Sequence, residues 1–343
     1  MYSTSSSLTT TTTTVDGGGT GGATSISTIH HDIIHTHILT RLDGPTLASV
    51  SCASPQLHSL SNDETLWNKI CQSTWPSTDH PRIRQFISDF PNGSRSFFSK
   101  SFPLLISNPN PLQNHPNHSS SPIELISSVD LHYKGKLIFS KVEETETHSG
   151  WFLCSPFRID LLDPKDVVPT PINPLEEDTC NDLRDELTLS WIIINPMEQQ
   201  RLVANLSSWR PVSVQHHWLT NDIQVRFATI LTVDQHRDND VQCGIIVTFG
   251  SEMQVREVSL QVEDMDGVNL NGKDSLGILQ RAIENGDRKM GTREEGRERY
   301  EEYVTRMKEK KEKRLRREGR LDALCVGVGV FILASFWMLL LSS

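Results

Sequence analysis

The sequence predicts an α+β chain of several domains: a small three-helix module, an antiparallel β-sandwich-like domain, a helical stalk and a single C-terminal transmembrane helix. Three observations carry this reading. Residues 29–76 repeat apolar side chains at helical spacing between Gly and Pro breaks. Residues 123–290 alternate apolar and polar positions between turn signals. A 19-residue run without a charge, Ala323 to Leu341, lies near the C-terminus. The expected segments are therefore a Ser/Thr/Gly-rich head (1–28), the helical module (29–76), a helical connector and linker (77–122), the β-rich domain (123–290), a charged stalk (291–320) and the apolar tail (321–343).

Bulk composition sets limits. Apolar residues are 36% of the 343, too few for one continuous globule, so strongly patterned segments must alternate with segments that bury little. The net charge of -10 argues against a general nucleic-acid binder, because phosphate would be repelled. That charge is unevenly spread: residues 288–320 hold 14 Lys/Arg against 8 Asp/Glu. The six cysteines are scattered with no CxxC, which suits a reducing compartment and neither a disulfide framework nor a metal knuckle. The head, Ser3 to Thr28, has no basic start and no apolar signal run, and its composition predicts disorder.

In the helical module, Ile34, Ile38 and Leu42 recur every four residues with Leu39 beside them, one apolar helical face. Asp43-Gly44-Pro45 stops that helix and starts a second, with Leu47, Val50 and Ala53 at three-residue spacing; Pro55 ends or bends it. Leu57 and Leu60, then Leu66, Trp67 and Ile70, make the third stretch. Under fifty residues cannot bury all these faces internally, so the module needs the rest of the chain or a partner. The order Ile38-Leu39-Thr40-Arg41-Leu42, Leu47-Ala48-Ser49-Val50-Ser51-Cys52, Leu57, Leu60 and closing Leu66-Trp67 resembles the F-box. The resemblance implies docking on the Skp-type adaptor of a cullin–RING ubiquitin ligase, with ubiquitin chemistry done by other subunits. By carry-over the docking residues are Ile34, Ile38, Leu42, Leu47, Val50 and Trp67. One departure stands at the motif's edge: the family opens with Leu-Pro before an acidic residue, and here His30-His31 precede Asp32. His30, His31, His35 and His37 lack a cysteine to complete a metal set, so solvated imidazoles are the reading and no metal is expected.

In the connector, Arg82, Ile83, Phe86, Ile87 and Phe90 predict a helix and Arg95 to Phe102 another; Pro103 to Pro122 reads as linker. Beyond it, Val129–Tyr133 and Lys136–Val142 flank Lys134-Gly135 as a hairpin. Trp151–Leu153, Phe157–Leu162, Leu187–Ile194, Ile223–Leu231, Cys243–Phe249 and Val255–Val262 continue the series, about seven strands without intervening helices. A helix follows, capped by Asp274 and ended by Gly286. This region is similar to the β-sandwich of plant phloem lectins. The phrases at 150–164 and 205–219, with the hydrophobic tail, resemble a group of plant F-box proteins.

The stalk carries acid-before-base pairs four apart, such as Glu302–Arg306 and Glu312–Arg316, which predict a solvated single helix. The tail spans roughly 28 Å as a helix. Ala323, Gly327, Phe331, Trp337 and Leu341 mark the expected span, with Ala323 and Gly327 a small-residue face and Trp337 near the far interface. The basic flank up to Arg320 predicts that the bulk of the chain stays cytosolic.

No GxSxG, HExxH, P-loop or GxGxxG occurs, so no enzyme and no cofactor are expected. Trp209, His217 and Trp218 form a candidate ligand rim, suited to stacking on a sugar or gripping a peptide. The expected function is a membrane-held substrate receptor binding a Skp-type adaptor and an unidentified protein target, with lipid at its tail. The alternative is a membrane-tethered carbohydrate- or lipid-binding module with a vestigial F-box.

Overall fold

A computed structural model describes residues 29–106, 122–173, 179–197, 202–220, 222–232, 239–289 and 293–342. These fall into two compact units that divide between Asn62 and Asp63. The expected disordered head and most of the Pro/Asn/Ser linker lie outside the described residues.

The first unit enters helix at α1 (His31–Ile33), runs through a π-helical stretch (Ile34–Ile38) and ends in one 3-10 turn (Leu39–Arg41). The Leu39 amide donates to the Ile34 carbonyl, five residues back. That wider turn rotates the apolar face. Ile34 and Leu39 are buried, whereas Ile38 is 44% exposed. The four-residue stripe Ile34, Ile38, Leu42 is therefore not one face. Asp43 caps α2 (Gly44–Ser51), its Oδ1 accepting from the Thr46 amide at 2.9 Å. Hydrogen bonds from Thr46, side chain before backbone, hold the Asp43 carboxyl below the usual range. Pro55 does not close a helix but opens α3 (Pro55–Ser61), where Ser54 Oγ accepts from the Leu57 amide at 3.2 Å. With α4 (Glu64–Thr74) in the second unit, the module has four helical segments where three were predicted.

In the second unit, α4, a 3-10 turn (Pro76–Asp79), α5 (Pro81–Ser88) and α6 (Gly93–Ser101) build a helical layer. Aromatic rings fill it: Trp75 lies 5.1 Å from Phe98, and Phe97 packs edge-on against Phe90 at 5.9 Å. Asn92 and Gly93 are both left-handed, with φ of 62° and 66°. This lets the Ser94 amide reach Glu64 Oε1 at 2.7 Å; a Cβ on Gly93 would stand 2.5 Å from the Glu64 carboxylate.

Two sheets pack around one core. The first has the order β11 (Asp287–Lys289), β1 (Leu104–Ile106), β6 (Leu202–Asn205), β5 (Leu187–Asn195), β2 (Glu124–Tyr133) and β3 (Lys136–Glu146). The second runs β4 (Arg158–Asp160), β10 (Val255–Glu263), β9 (Val241–Phe249), β8 (Ile223–Leu231) and β7 (Ser213–His216). Pairing is antiparallel except at β1 and β6. The β2–β3 hairpin turns at Lys134 and Gly135, both with positive φ, the signature of a type I′ turn. Val129 and Leu131 of β2 share the core with Phe227 of β8 and Ile245 of β9. The opposite face of β2 meets the helical layer. There Asp130 Oδ1 accepts from the Ser77 amide at 2.9 Å and from Ser140 Oγ at 2.7 Å. Burial pushes the Asp130 carboxyl above its ordinary range, against the pull of these hydrogen bonds.

Three expectations are corrected in this region. Trp151–Leu153 is not a strand but part of the short helix α7 (Gly150–Cys154), capped by Ser149, whose Oγ accepts from the Phe152 amide. A helix that period-two reading passed over, α8 (Thr179–Glu186), precedes β5. Asn271, not Asp274, caps α9 (Gly272–Asn285): its Oδ1 accepts from the Asp274 amide at 2.8 Å while its Nδ2 donates to Asp274 Oδ2 at 2.9 Å. Asp274 is the reciprocal partner one turn in.

The stalk and tail are one continuous helix, α10 (Arg293–Ser342), of 50 residues. Its root is not solvated as predicted. Tyr303 is buried and its hydroxyl donates to the Asp264 carbonyl at 2.8 Å. Arg306 pairs with Asp240 at 2.7 Å and Lys310 with Asp266 at 3.0 Å. Docking against the sheet domain brings these partners from loops that no local pattern links to the helix.

Candidate adaptor-docking and ligand surfaces

The carried-over docking residues divide by environment. Ile34 and Leu47 are buried in the first unit. Trp67 belongs to the second, 2% exposed, with its ring 5.5 Å from Phe98 and the Arg95 guanidinium 5.9 Å from its centroid. These three serve the chain's own interior. Ile38 is exposed, and Leu42 and Val50 are half-buried. Ile33, which the sequence reading did not select, is 50% exposed. Its signal was available: an isoleucine beside the stripe, in the first helical turn. The first unit thus turns Ile33 and Ile38 outward, and such apolar surface gains free energy when a partner covers it.

The histidines flanking this surface are exposed or half-buried. His30 caps α1, Nδ1 accepting from the Asp32 amide at 3.3 Å. Among the described residues no three His, Cys, Asp or Glu side chains are placed to hold a metal ion.

The expected rim is divided between two sites. Trp209 is half-buried at φ 64°, its ring edge-on to Phe102 at 5.1 Å. His217 and Trp218 follow β7, their rings 6.3 Å apart and near-parallel, with Trp218 88% exposed. Trp218 is open to a ligand, whereas Trp209 helps fasten the helical layer to the sheet. A cavity of about 440 Å³ lies elsewhere, between β3 and the loop 162–168. A second, of about 200 Å³, is lined by Arg184, Arg210 and Arg297 with Glu294.

Along the tail, Phe331, Trp337 and Leu341 are exposed, as are Ala323 and Gly327. Among the described residues this is one helix long and apolar enough to cross a membrane, with none of its apolar window buried in the protein. The cysteines are all unbridged, Cys71 and Cys243 being buried.

The F-box-like family model matches residues 33–73, the segment that carries the outward isoleucines. The matched region begins in the first unit and ends in α4 of the second. The chain belongs to the F-box protein family. It is 47% identical over 319 residues to the probable F-box protein At2g36090 of Arabidopsis thaliana, covering 89% of this chain and 90% of that one. It is 43% identical to F-box protein At2g27310 of the same plant (92% and 96% covered) and 42% identical to F-box protein At3g44326 (91% and 90%). No solved structure matches the chain.

Proposed function

We propose that this chain is the substrate-receptor subunit of a Skp–cullin–RING ubiquitin ligase, held at a membrane by the second half of α10. The observation that carries the reading is the match over 33–73 on a segment that leaves Ile33 and Ile38 uncovered. The adaptor covers these side chains, with Leu42 and Val50 beside them. A few desolvated apolar anchors then supply most of the affinity. The β-rich domain holds the target, and the chain itself performs no chemistry. Because α4 is part of the same compact unit as the sheets, the end of the adaptor-binding region is built into the target-binding domain. The apolar tail places the assembly on a bilayer with the basic flank Arg314, Arg316, Arg317 and Arg320 on the cytosolic side. Tethering raises the effective concentration of membrane-proximal targets without a new contact.

The test is co-purification of the full chain with a Skp-type adaptor, beside the pair Ile38→Asp, Val50→Asp. Both positions face outward enough to accept a carboxylate without disturbing the core. A stoichiometric wild-type complex that the pair weakens by roughly 100-fold or more supports the reading. Equal binding by both, or by neither, rejects it. A chain ending at Arg320 is expected to leave the membrane fraction; if it stays there, the tail is not the anchor.

A further inference from the structure

Residues 311–320 of α10, between its docked root and its apolar run, are all exposed. They hold six cations, Lys311, Lys313, Arg314, Arg316, Arg317 and Arg320, against two acids. Both acids are engaged, Glu312 with Arg316 at 3.2 Å and Glu318 with Arg314 at 3.0 Å. Lys313, Arg317 and Arg320 stand at i, i+4 and i+7, which is one helix face. The neighbours of Arg317 three and four positions away are Lys313, Arg314, Arg320 and Leu321; those of Arg320 are Arg316, Arg317, Ala323 and Leu324. For Lys313 they are Lys310, Arg316, Arg317 and one acid, Glu309, and no ion pair joins Lys313 to Glu309 among the described residues. Asp322 lies two residues past Arg320, on the opposite side of the helix. Like charges at this spacing destabilise a helix, so the face costs free energy until an anion covers it.

We propose that Lys313, Arg317 and Arg320 form a stripe that binds acidic phospholipid headgroups, so that the tail selects an anionic membrane surface over a zwitterionic one. This deepens the membrane-anchor reading and rests on it. The apolar run identifies the occupant. It begins at Ala323, three residues past Arg320 and ten past Lys313, which places the stripe roughly 5–15 Å above the hydrocarbon on a helix that crosses it. Headgroups fill roughly the first 5–7 Å of that layer. The long side chains of arginine and lysine bring the higher charges down to them. Phosphate is thus delivered to the stripe by the same helix that carries it, whereas an acidic protein would need a docking surface of its own. The chain's net charge of -10 does not oppose this. The root is fixed to the β-rich domain at the Lys310–Asp266 pair, thirteen residues before Ala323, so that acidic contact stands roughly 20 Å from the hydrocarbon. Salt screens charges over about 8–10 Å, so the repulsion from that contact is largely lost, while the stripe lies inside the range.

The experiment dilutes the full chain from detergent into an equal mixture of two vesicle populations and recovers each by flotation. One is phosphatidylcholine alone; the other contains about one third phosphatidylserine, against which each surface cation contributes roughly a factor of five. Wild type is expected to favour the anionic vesicles by roughly tenfold or more, with the preference shrinking as salt is added. The triple variant Lys313→Gln, Arg317→Gln, Arg320→Gln should still float but divide nearly equally. A comparison triple with the same loss of charge at exposed lysines elsewhere, Lys165→Gln, Lys273→Gln, Lys308→Gln, should keep the preference. Equal division of the wild type would overturn the stripe proposal while leaving the anchor in place. So would a preference that both triples lose alike, or that neither loses. Stripe-dependent binding of soluble polyglutamate without any preference between vesicles would assign the face to an acidic protein instead. A wild type that floats with neither population would remove the anchor reading, and this proposal with it.

Discussion

Removing the Arg306 guanidinium tests whether α10 is fixed to the β-rich domain or merely follows it. Asp240 is 3% exposed and Arg306 23% exposed, with 2.7 Å between Nη1 and Oδ2. Breaking a fully buried pair by deleting one partner costs about 3–5 kcal/mol, because the other charge stays buried without its counter-ion. Water reaches one side of Arg306, so the cost falls below that range or at its lower limit, about 2–3 kcal/mol for Arg306→Ala. At about 1.4 kcal/mol per factor of ten, the root of α10 should open roughly 30 to 150 times more often. Hydrogen exchange of the full chain in detergent, followed over residues 299–310, reads this as faster amide exchange by the same factor. Asp240→Asn removes the stranded charge, so Arg306→Ala with Asp240→Asn should recover much of the protection. The tail beyond Arg320 should not change. Unaltered exchange in Arg306→Ala, or a double variant that shows the full sum of the single losses, would refute the claim that this pair pins the helix.

Two further outcomes follow from the packing. Burial raises the Asp130 carboxyl above its solution value of 3.8, so its contribution to stability is complete below about pH 4 and is lost as pH rises through the folded-state value. The stability difference between wild type and Asp130→Asn should therefore move in favour of the variant from pH 3 to pH 7; a thermal-unfolding gap that is flat with pH contradicts this. A Cβ on Gly272 would lie 2.2 Å from the Phe152 carbonyl oxygen, while one on Gly277, in the same helix, meets nothing within 4 Å. Gly272→Ala should cost about 1–3 kcal/mol by forcing α7 from α9, and Gly277→Ala should add about 0.5–1 kcal/mol of helix stability. Equal melting shifts for the two would show that the α7–α9 contact is not as close as described.

Where a segment's structure is decided by its own neighbours, the sequence was sufficient. The apolar runs of β5 and β9, the alternation of β8 and β10, the Lys134-Gly135 turn, the Asp43 cap and the unbroken apolar tail each follow from local sterics, hydrophobic pattern or capping. The F-box order was legible for the same reason, being carried by contiguous helical segments and their breaks. The tertiary structure decided what depends on distant partners. A π-helical turn chose Leu39 over Ile38 for the interior, and that choice leaves Ile38 exposed. Trp67 reads as a docking residue in sequence and is an interior residue because Phe98, thirty-one positions later, covers it. Trp209 and Trp218 are nine residues apart, yet Phe102 takes one and solvent the other. The stalk composition says solvated helix, and Asp240, Asp264 and Asp266 make its root part of a domain. That β3 ends its sheet among the described residues was hidden for the deepest reason: which strands lie at an edge is decided by how distant segments pair.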